Sequence, residues 1–419
     1  MSAVSIEQYD PMDRACQQDP FPYYAALREQ APVYRHPRNG IYFVSRFGDV
    51  SAVLRDPATF SSRFGTTGLI PAAPGAEKEM EEIFAQGVPA VNTLLTADPP
   101  AQTRYRKAVA RAFTPKRIQA HTGMIRELTD GLIDRWPLKG RVDYLGTFSI
   151  PLPVRVISTI LSIGLERGDD VKRWSDDSVA GLGVTISRER SLEAARSLVG
   201  MQKFLAGLLE ARRAQPRGDF LSELAAADFE PAEGAPRKLD VPEMLSIVTQ
   251  LMVAGNEAMT KGINEITRLL IEHPEEWRRI VDDPSTIPAM VDEGLRLASP
   301  NQGLFRIATR DTEIQGVPIP KRARVWVMFG SANRDERVFP DPDRFDPRRP
   351  NLSEHLAFGR GAHFCIGAPL ARLELNILFE QLAARIETLD FAPENRFEYE
   401  PSFILRGLKS LEVEIERRS

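Results

Sequence analysis

Apolar residues recur along this chain mainly three and four positions apart, the spacing of a helix that buries one face. Such stretches cover residues 21–30, 101–134, 151–163, 189–213 and 285–298, and the run LARLELNILFEQLAARI that ends at residue 386. The longest begins at Asp240, an N-cap residue followed by Val241 and Pro242, and stays helix-compatible until His273-Pro274 stops it. A helix of about thirty residues exceeds the ordinary globular length and suits one that crosses the centre of a molecule. Strict alternation is rarer. PVYRHPRNGIYFVSR, residues 32–46, predicts a hairpin turning at Asn39-Gly40, and further strands fit 312–329 and the tail SLEVEIE near 410. Residues 61–97 and 214–240 are rich in Pro, Gly and Ala and read as loops with short helices. The pattern is mainly α with a minor antiparallel β part, and it holds no internal repeat.

Composition narrows the class. The chain has 419 residues, 42% hydrophobic and 27% charged, with a net charge of −4. That balance is ordinary for a globular protein and gives no reason to expect nucleic-acid binding. No apolar run approaches the roughly eighteen residues of a membrane span, and MSAVSIEQYDPMDRACQQDP carries neither an anchor nor a signal h-region. A cytoplasmic protein without membrane attachment is the expectation. No segment fits G-x-G-x-x-G, so no flavin or nicotinamide domain is indicated.

The chemistry concentrates around Cys365, in FGRGAHFCIGAPLAR, residues 358–372. Gly359, Gly361 and Gly367 remove side chains around the sulfur and allow backbone angles that other residues resist. With Pro369 in a first helical turn, Cys365 lies near a helix N-terminus, where free N–H groups and the dipole favour a thiolate. Such a sulfur suits a soft or borderline metal as its single protein ligand. The blander readings are an inert buried thiol, or a nucleophile on which a His and an Asn or Asp converge. Zinc fits poorly, because two cysteines and five histidines form neither C-x-x-C nor H-E-x-x-H.

FGRGAHFCIG resembles the haem-binding loop of the cytochromes P450, with Phe358, Gly359, Gly361, His363, Cys365 and Gly367 all matching. The resemblance implies the P450 fold, a triangular helical prism around haem b, with Cys365 as the axial thiolate that favours O–O cleavage. It also implies one catalytic domain over 1–419, since the matching motifs reach from residue 97 to 367. Cys16, left without a disulfide partner, is then a free thiol.

Other segments resemble the same family. Glu293 and Arg296 share one helix face at i, i+3, a pair that is ordinarily solvated surface charge. They stand where the family has its E-x-x-R pair, and in SANRDERVFPDPDRFDPRRP, residues 331–350, Arg344 is the expected third member. In the long helix, mid-helix Gly255 costs about 1 kcal/mol relative to Ala and invites a reason, the blandest being helix packing. AGNEAM resembles the A-G-x-[DE]-T segment over the haem, in which Ala254 and Gly255 leave room for dioxygen and Glu257 is the acid of a proton relay. Ala258 replaces the usual Thr, and Thr260 lies about 200° further round the helix. A carboxylic acid beside a hydroxyl passes protons, whereas a methyl does not.

The haem propionates need cationic or hydrogen-bonding partners. By resemblance these are Gln102 (in place of a His) and Arg106 in ADPPAQTRYRKAVARAF, Arg306 in LFRIATRD, and His363. The pocket would draw on Phe64, Leu69, Ile70, Val179, Leu182, Met252, Val253, Gln302, Leu304 and Phe403, a lining that suits a hydrophobic small molecule. Arg104, Arg106, Lys107, Arg111, Lys116, Arg117, Arg360 and Arg372 alone read as a solvated face; the resemblance implies that they steer an acidic ferredoxin or flavodoxin with its NAD(P)H reductase. The expected protein is a monomeric monooxygenase that inserts one oxygen atom from O2. The alternatives are a peroxide-driven haem-thiolate enzyme, which Ala258 suggests, and a non-catalytic haem-binding sensor.

Overall fold

The computed structural model describes residues 4–64, 73–231 and 234–418. Leu69 and Ile70, two of the expected pocket residues, lie outside the described residues. The chain forms two compact units from interleaved segments. One unit comprises 1–60, 115–153 and 258–419, and the other 61–114 and 154–257.

In the first unit the expected hairpin forms, with Val33 opposite Val44 and Arg35 opposite Tyr42. Its second strand pairs parallel with Arg324–Met328, which pairs antiparallel with Gly303–Ala308. The β part is therefore not wholly antiparallel, because residues 42–44 and 324–328 reach the sheet by a long connection rather than a turn. Alternation along Arg324–Met328 sorts the two faces. Val325 and Val327 enter a cluster with Val44, Val50, Leu54 and Phe329, whereas the Trp326 ring meets Phe305 at 4.7 Å and Phe403 at 5.2 Å. Val50 and Leu54 belong to the helix Phe47–Arg55, unanticipated although its apolar residues stand at 47, 50, 53 and 54. A second, antiparallel sheet joins Ile386–Phe391, Glu412–Arg417 and Lys139–Asp143.

The helix expected over 101–134 is broken. Ala101–Val109 passes into a single tight turn, and Pro115–Gln119 and Thr122–Ile133 follow separately. Thr114 is extended, with ψ 149°, because the ring of Pro115 disfavours helical angles in the residue before it.

The long helix spans Val241–Glu272, 32 residues. Its start is locked reciprocally: Glu243 N donates to Asp240 Oδ1 at 2.9 Å, and Asp240 N donates to Glu243 Oε2 at 2.9 Å. After His273 a new helix, Pro274–Asp282, starts at the proline. Helices Ile287–Ala298 and Ala368–Arg385 lie where the periodicity put them. Among the described residues, no helix is long and apolar enough to cross a membrane.

Candidate functional site

Within the first unit, the loop around Cys365 is shaped by its backbone. Gly359 and Gly361 have φ of +65° and +73°, left-handed angles that favour glycine. A Cβ on Gly361 would stand 2.4 Å from the Leu54 carbonyl oxygen, so the loop docks against the end of helix Phe47–Arg55 at glycine distance. Gly367 differs. Its angles are ordinary and helical (φ −82°), and a Cβ there would rest 3.8 Å from Cys365 Sγ. Its service is open space beside the sulfur. Cys365 N donates to the Phe358 carbonyl at 2.9 Å, and Ala368 N donates to the Cys365 carbonyl at 3.3 Å as the helix begins.

Cys365 is exposed. Phe364 beside it is 40% exposed, one of four exposed large hydrophobic side chains among the described residues. Cys16, by contrast, is buried, and burial pushes its thiol up. An exposed cysteine at a helix start, flanked by glycines and a partly exposed aromatic ring, fits a flat apolar group carrying a metal that takes one thiolate.

Glu293 and Arg296 are wholly buried, not surface charges. Arg296 donates through Nε at 2.7 Å and Nη2 at 2.8 Å to the two carboxylate oxygens. Its remaining hydrogens reach the carbonyls of Asn333 (2.6 Å) and Pro342 (2.8 Å). The third arginine is Arg349 rather than Arg344. Arg349 Nε donates to Glu293 Oε1 at 3.0 Å, with its side chain 7% exposed. Arg344 is exposed and contributes its backbone carbonyl, which accepts from Arg296 at 3.3 Å and from Arg349 at 3.0 Å. The turn that presents this carbonyl inward directs the side chain outward.

On the long helix, Ala254 is exposed and Gly255 and Ala258 are half-buried, whereas Asn256, Glu257, Met259 and Thr260 are buried. The open positions are small residues at i, i+1 and i+4, one face of the helix. Gly255 also has a packing reason: a Cβ there would meet Ile157 Cδ1 at 2.8 Å. Thr260 Oγ1 is buried without a hydrogen-bond partner, away from the open face on which a relay hydroxyl would stand.

Gln102 is buried and Arg106 half-buried on helix Ala101–Val109, in the second unit. In the first unit, Arg306 is 2% exposed and donates to the Phe305 carbonyl at 2.7 Å, and His363 ends the short turn Gly361–His363. Of the expected pocket residues, Met252 and Val253 are buried in the long helix. Three others have structural reasons the sequence did not reveal. Gln302 Nε2 donates to the Ser299 carbonyl at 2.7 Å, closing helix Ile287–Ala298, and Leu304 packs on the sheet's valine cluster. Phe403 joins the aromatic face of Trp326 and Phe305. Arg372 is likewise no free docking charge, since it is paired with Asp292.

In the second unit a cleft of about 760 Å³ opens between helices Gly168–Val179 and Arg188–Ala214. It has a charged rim over Trp174 and Phe204 and contains none of the residues singled out above.

Comparison with known proteins agrees with this arrangement. The family model described as Cytochrome P450 matches residues 200–395. The chain is 34% identical over 418 residues to "Cytochrome P450 107B1" of Saccharopolyspora erythraea, covering 99% of both. It is 33% identical over 400 residues to "6-deoxyerythronolide B hydroxylase" of the same organism, covering 94% of this chain and 95% of that protein. The solved structure of cytochrome P450 CYP109Q5 from Chondromyces apiculatus superposes with a TM-score of 0.84 at 33% identity, over 99% of this chain and 100% of that one. With a mainly helical P450 fold and relatives of this likeness along its whole length, the chain belongs to the cytochrome P450 family, the haem-thiolate monooxygenases.

Proposed function

We propose that this protein is an external monooxygenase that inserts one oxygen atom from O2 into a hydrophobic small molecule, with Cys365 as the single protein ligand of a haem b. The observation that carries the reading is the exposed residue Cys365 in a glycine-shaped loop at the start of helix Ala368–Arg385. The haem, when bound, supplies the centre at which dioxygen is reduced with two electrons. Gln102, Arg106, Arg306 and His363 would hold its propionates, and the Glu293–Arg296–Arg349 network would brace the scaffold. Ala254 and Gly255 keep one stretch of the long helix free of bulk.

Glu257 holds the proton to be delivered, and the Ala258 methyl passes none on. Ordered water or a hydroxyl of the substrate completes the path. Relatives named "6-deoxyerythronolide B hydroxylase", "Steroid C26-monooxygenase" and "Nocardicin C N-oxygenase" act on diverse small molecules, which supports the substrate class without choosing a member. Electrons come from a separate ferredoxin or flavodoxin. Ala258 favours a second reading, a peroxide-driven enzyme; turnover with peroxide but not with ferredoxin selects it. Cys365→Ser tests the core of the proposal. It is expected to lose the thiolate-type Soret band of the reduced CO complex, since an alcohol is a harder, weaker donor. A retained band would remove Cys365 as the ligand.

A further inference from the structure

Three polar side chains that the chemistry above does not use hold the Cys365 loop from behind. Asp292 is the neighbour of Glu293 on helix Ile287–Ala298, and its Oδ1 accepts from Arg372 Nε at 2.7 Å. His355 Nε2 lies 3.5 Å from the same oxygen. His355 Nδ1 accepts the Ala357 N–H at 3.1 Å, so the ring proton sits on Nε2, directed at Asp292. The His355 side chain is 1% exposed, Asp292 21% and Arg372 32%.

The cluster closes on Phe358. The Arg372 guanidinium stands 4.6 Å from the centroid of the Phe358 ring, and the His355 ring 5.6 Å. Phe358 in turn touches the cysteine through its backbone and the residue before the cysteine through its ring. Its carbonyl accepts the Cys365 N–H at 2.9 Å, and its ring lies 6.4 Å from that of Phe364. Arg372 is also on the helix that Cys365 leads into. Burial works to raise the Asp292 carboxyl, yet the hydrogen bond from His355 and the charge of Arg372 hold it below its ordinary value. The result is an ionised carboxylate against a permanent cation.

We propose that Asp292, His355 and Arg372 are positioning residues that set the electron-donating strength of the Cys365 sulfur, an inference that rests on reading Cys365 as the haem ligand. In a partly buried setting a single uncompensated charge acts over several ångströms. An unpaired Arg372 would draw electron density from the sulfur and stabilise the reduced centre. Asp292 cancels that pull, and His355 fixes the carboxylate where it does so, as outer partners do for metal ligands generally.

The sign of the effect separates this role from a structural one. Asp292→Asn leaves the cation unpaired; the ferric/ferrous midpoint potential is expected to move positive and the C–O stretch of the reduced CO complex to rise. Arg372→Gln leaves the carboxylate unpaired, and both readouts are expected to move the opposite way. The double variant is expected near the natural protein, as is Asp292→Glu. Opposite signs with return in the double variant support the clamp. Shifts of the same sign, or none, overturn it. If only one single variant takes up haem, the sign of its shift decides. Loss of haem uptake in both would reduce the cluster to a structural brace and likewise overturn it. The natural protein's own reduced CO band keeps the two readings apart, because without a thiolate-type band the ligand assignment fails first.

Discussion

Replacing Glu293 by Ala strips four donors of the one carboxylate they share. These are Arg296 Nε at 2.7 Å, Arg296 Nη2 at 2.8 Å, Asp346 N at 3.0 Å and Arg349 Nε at 3.0 Å. Two guanidinium groups then remain with side chains 0% and 7% exposed and no counter-charge on Glu293. Breaking a buried pair by removing one partner costs about 3–5 kcal/mol. Orphaning the Asp346 N–H adds up to about 1–3 kcal/mol, less if the turn relaxes. Against a typical folding free energy of about 5–15 kcal/mol, the loss is a large fraction of the whole. Two neighbours calibrate it. Arg349→Ala removes the charge-assisted bond to Glu293 together with the bonds to the carbonyls of Pro340, Asp341 and Arg344, and is expected to cost at least about 1.5–3 kcal/mol. Arg344→Ala keeps the backbone carbonyl that takes part and is expected within about 0.5 kcal/mol of the natural protein. Urea unfolding midpoints and haem occupancy after identical expression measure all three. A loss below about 1 kcal/mol for Glu293→Ala, or equal losses at 344 and 349, would refute the buried-network account.

Other expectations follow from single contacts. Gly255→Ala places a methyl 2.8 Å from Ile157 Cδ1 and is expected to destabilise despite its better helix propensity, whereas with Ile157→Ala the penalty is relieved; additive unfolding midpoints for the pair would discard packing as the reason for glycine. Ala258→Thr is expected to raise product formed per NAD(P)H and lower released peroxide with a spectrally validated substrate, and unchanged coupling would show that another route already delivers the protons. Burial pushes the Glu374 carboxyl up to about 8. The folded state thus binds the proton more tightly than the unfolded one, so the stability this group lends is complete below about pH 4.5 and is lost as pH rises through about 8, by a few kcal/mol in all. Glu374→Gln should flatten the unfolding midpoint between pH 5 and 8 relative to the natural protein, and parallel curves would contradict a buried, protonated Glu374.

The elements of this protein were legible wherever the signal is local. Asp240, Pro242 and Pro274 bound the long helix through capping and a missing N–H, interactions within one helical turn. Asn39-Gly40 turned the hairpin for the same kind of reason, and the glycines around Cys365 announced a loop that needs left-handed angles and bare backbone. The expectations for the cysteine, the Glu293–Arg296 pair and the departure at Ala258 came from short motifs that resemble a family's, since spacing alone reads the pair as surface charge. Thr114-Pro115 was legible too, and the helix drawn through it was an error of reading rather than of signal.

Tertiary structure decided what depends on how the chain returns to itself. Arg349, rather than Arg344, reaches Glu293 because a turn sends one side chain inward and its neighbour out, and both lie in one arginine-rich stretch with no periodicity to sort them. Gln302 closes a helix, since its Nε2 finds the Ser299 carbonyl. Asp292, His355 and Arg372 come from three separate segments, and each alone reads as surface charge. Periodicity reports which face of an element is buried, but the partner across the core is chosen by packing between segments tens of residues apart, where side-chain reach and desolvation decide and local spacing carries no record.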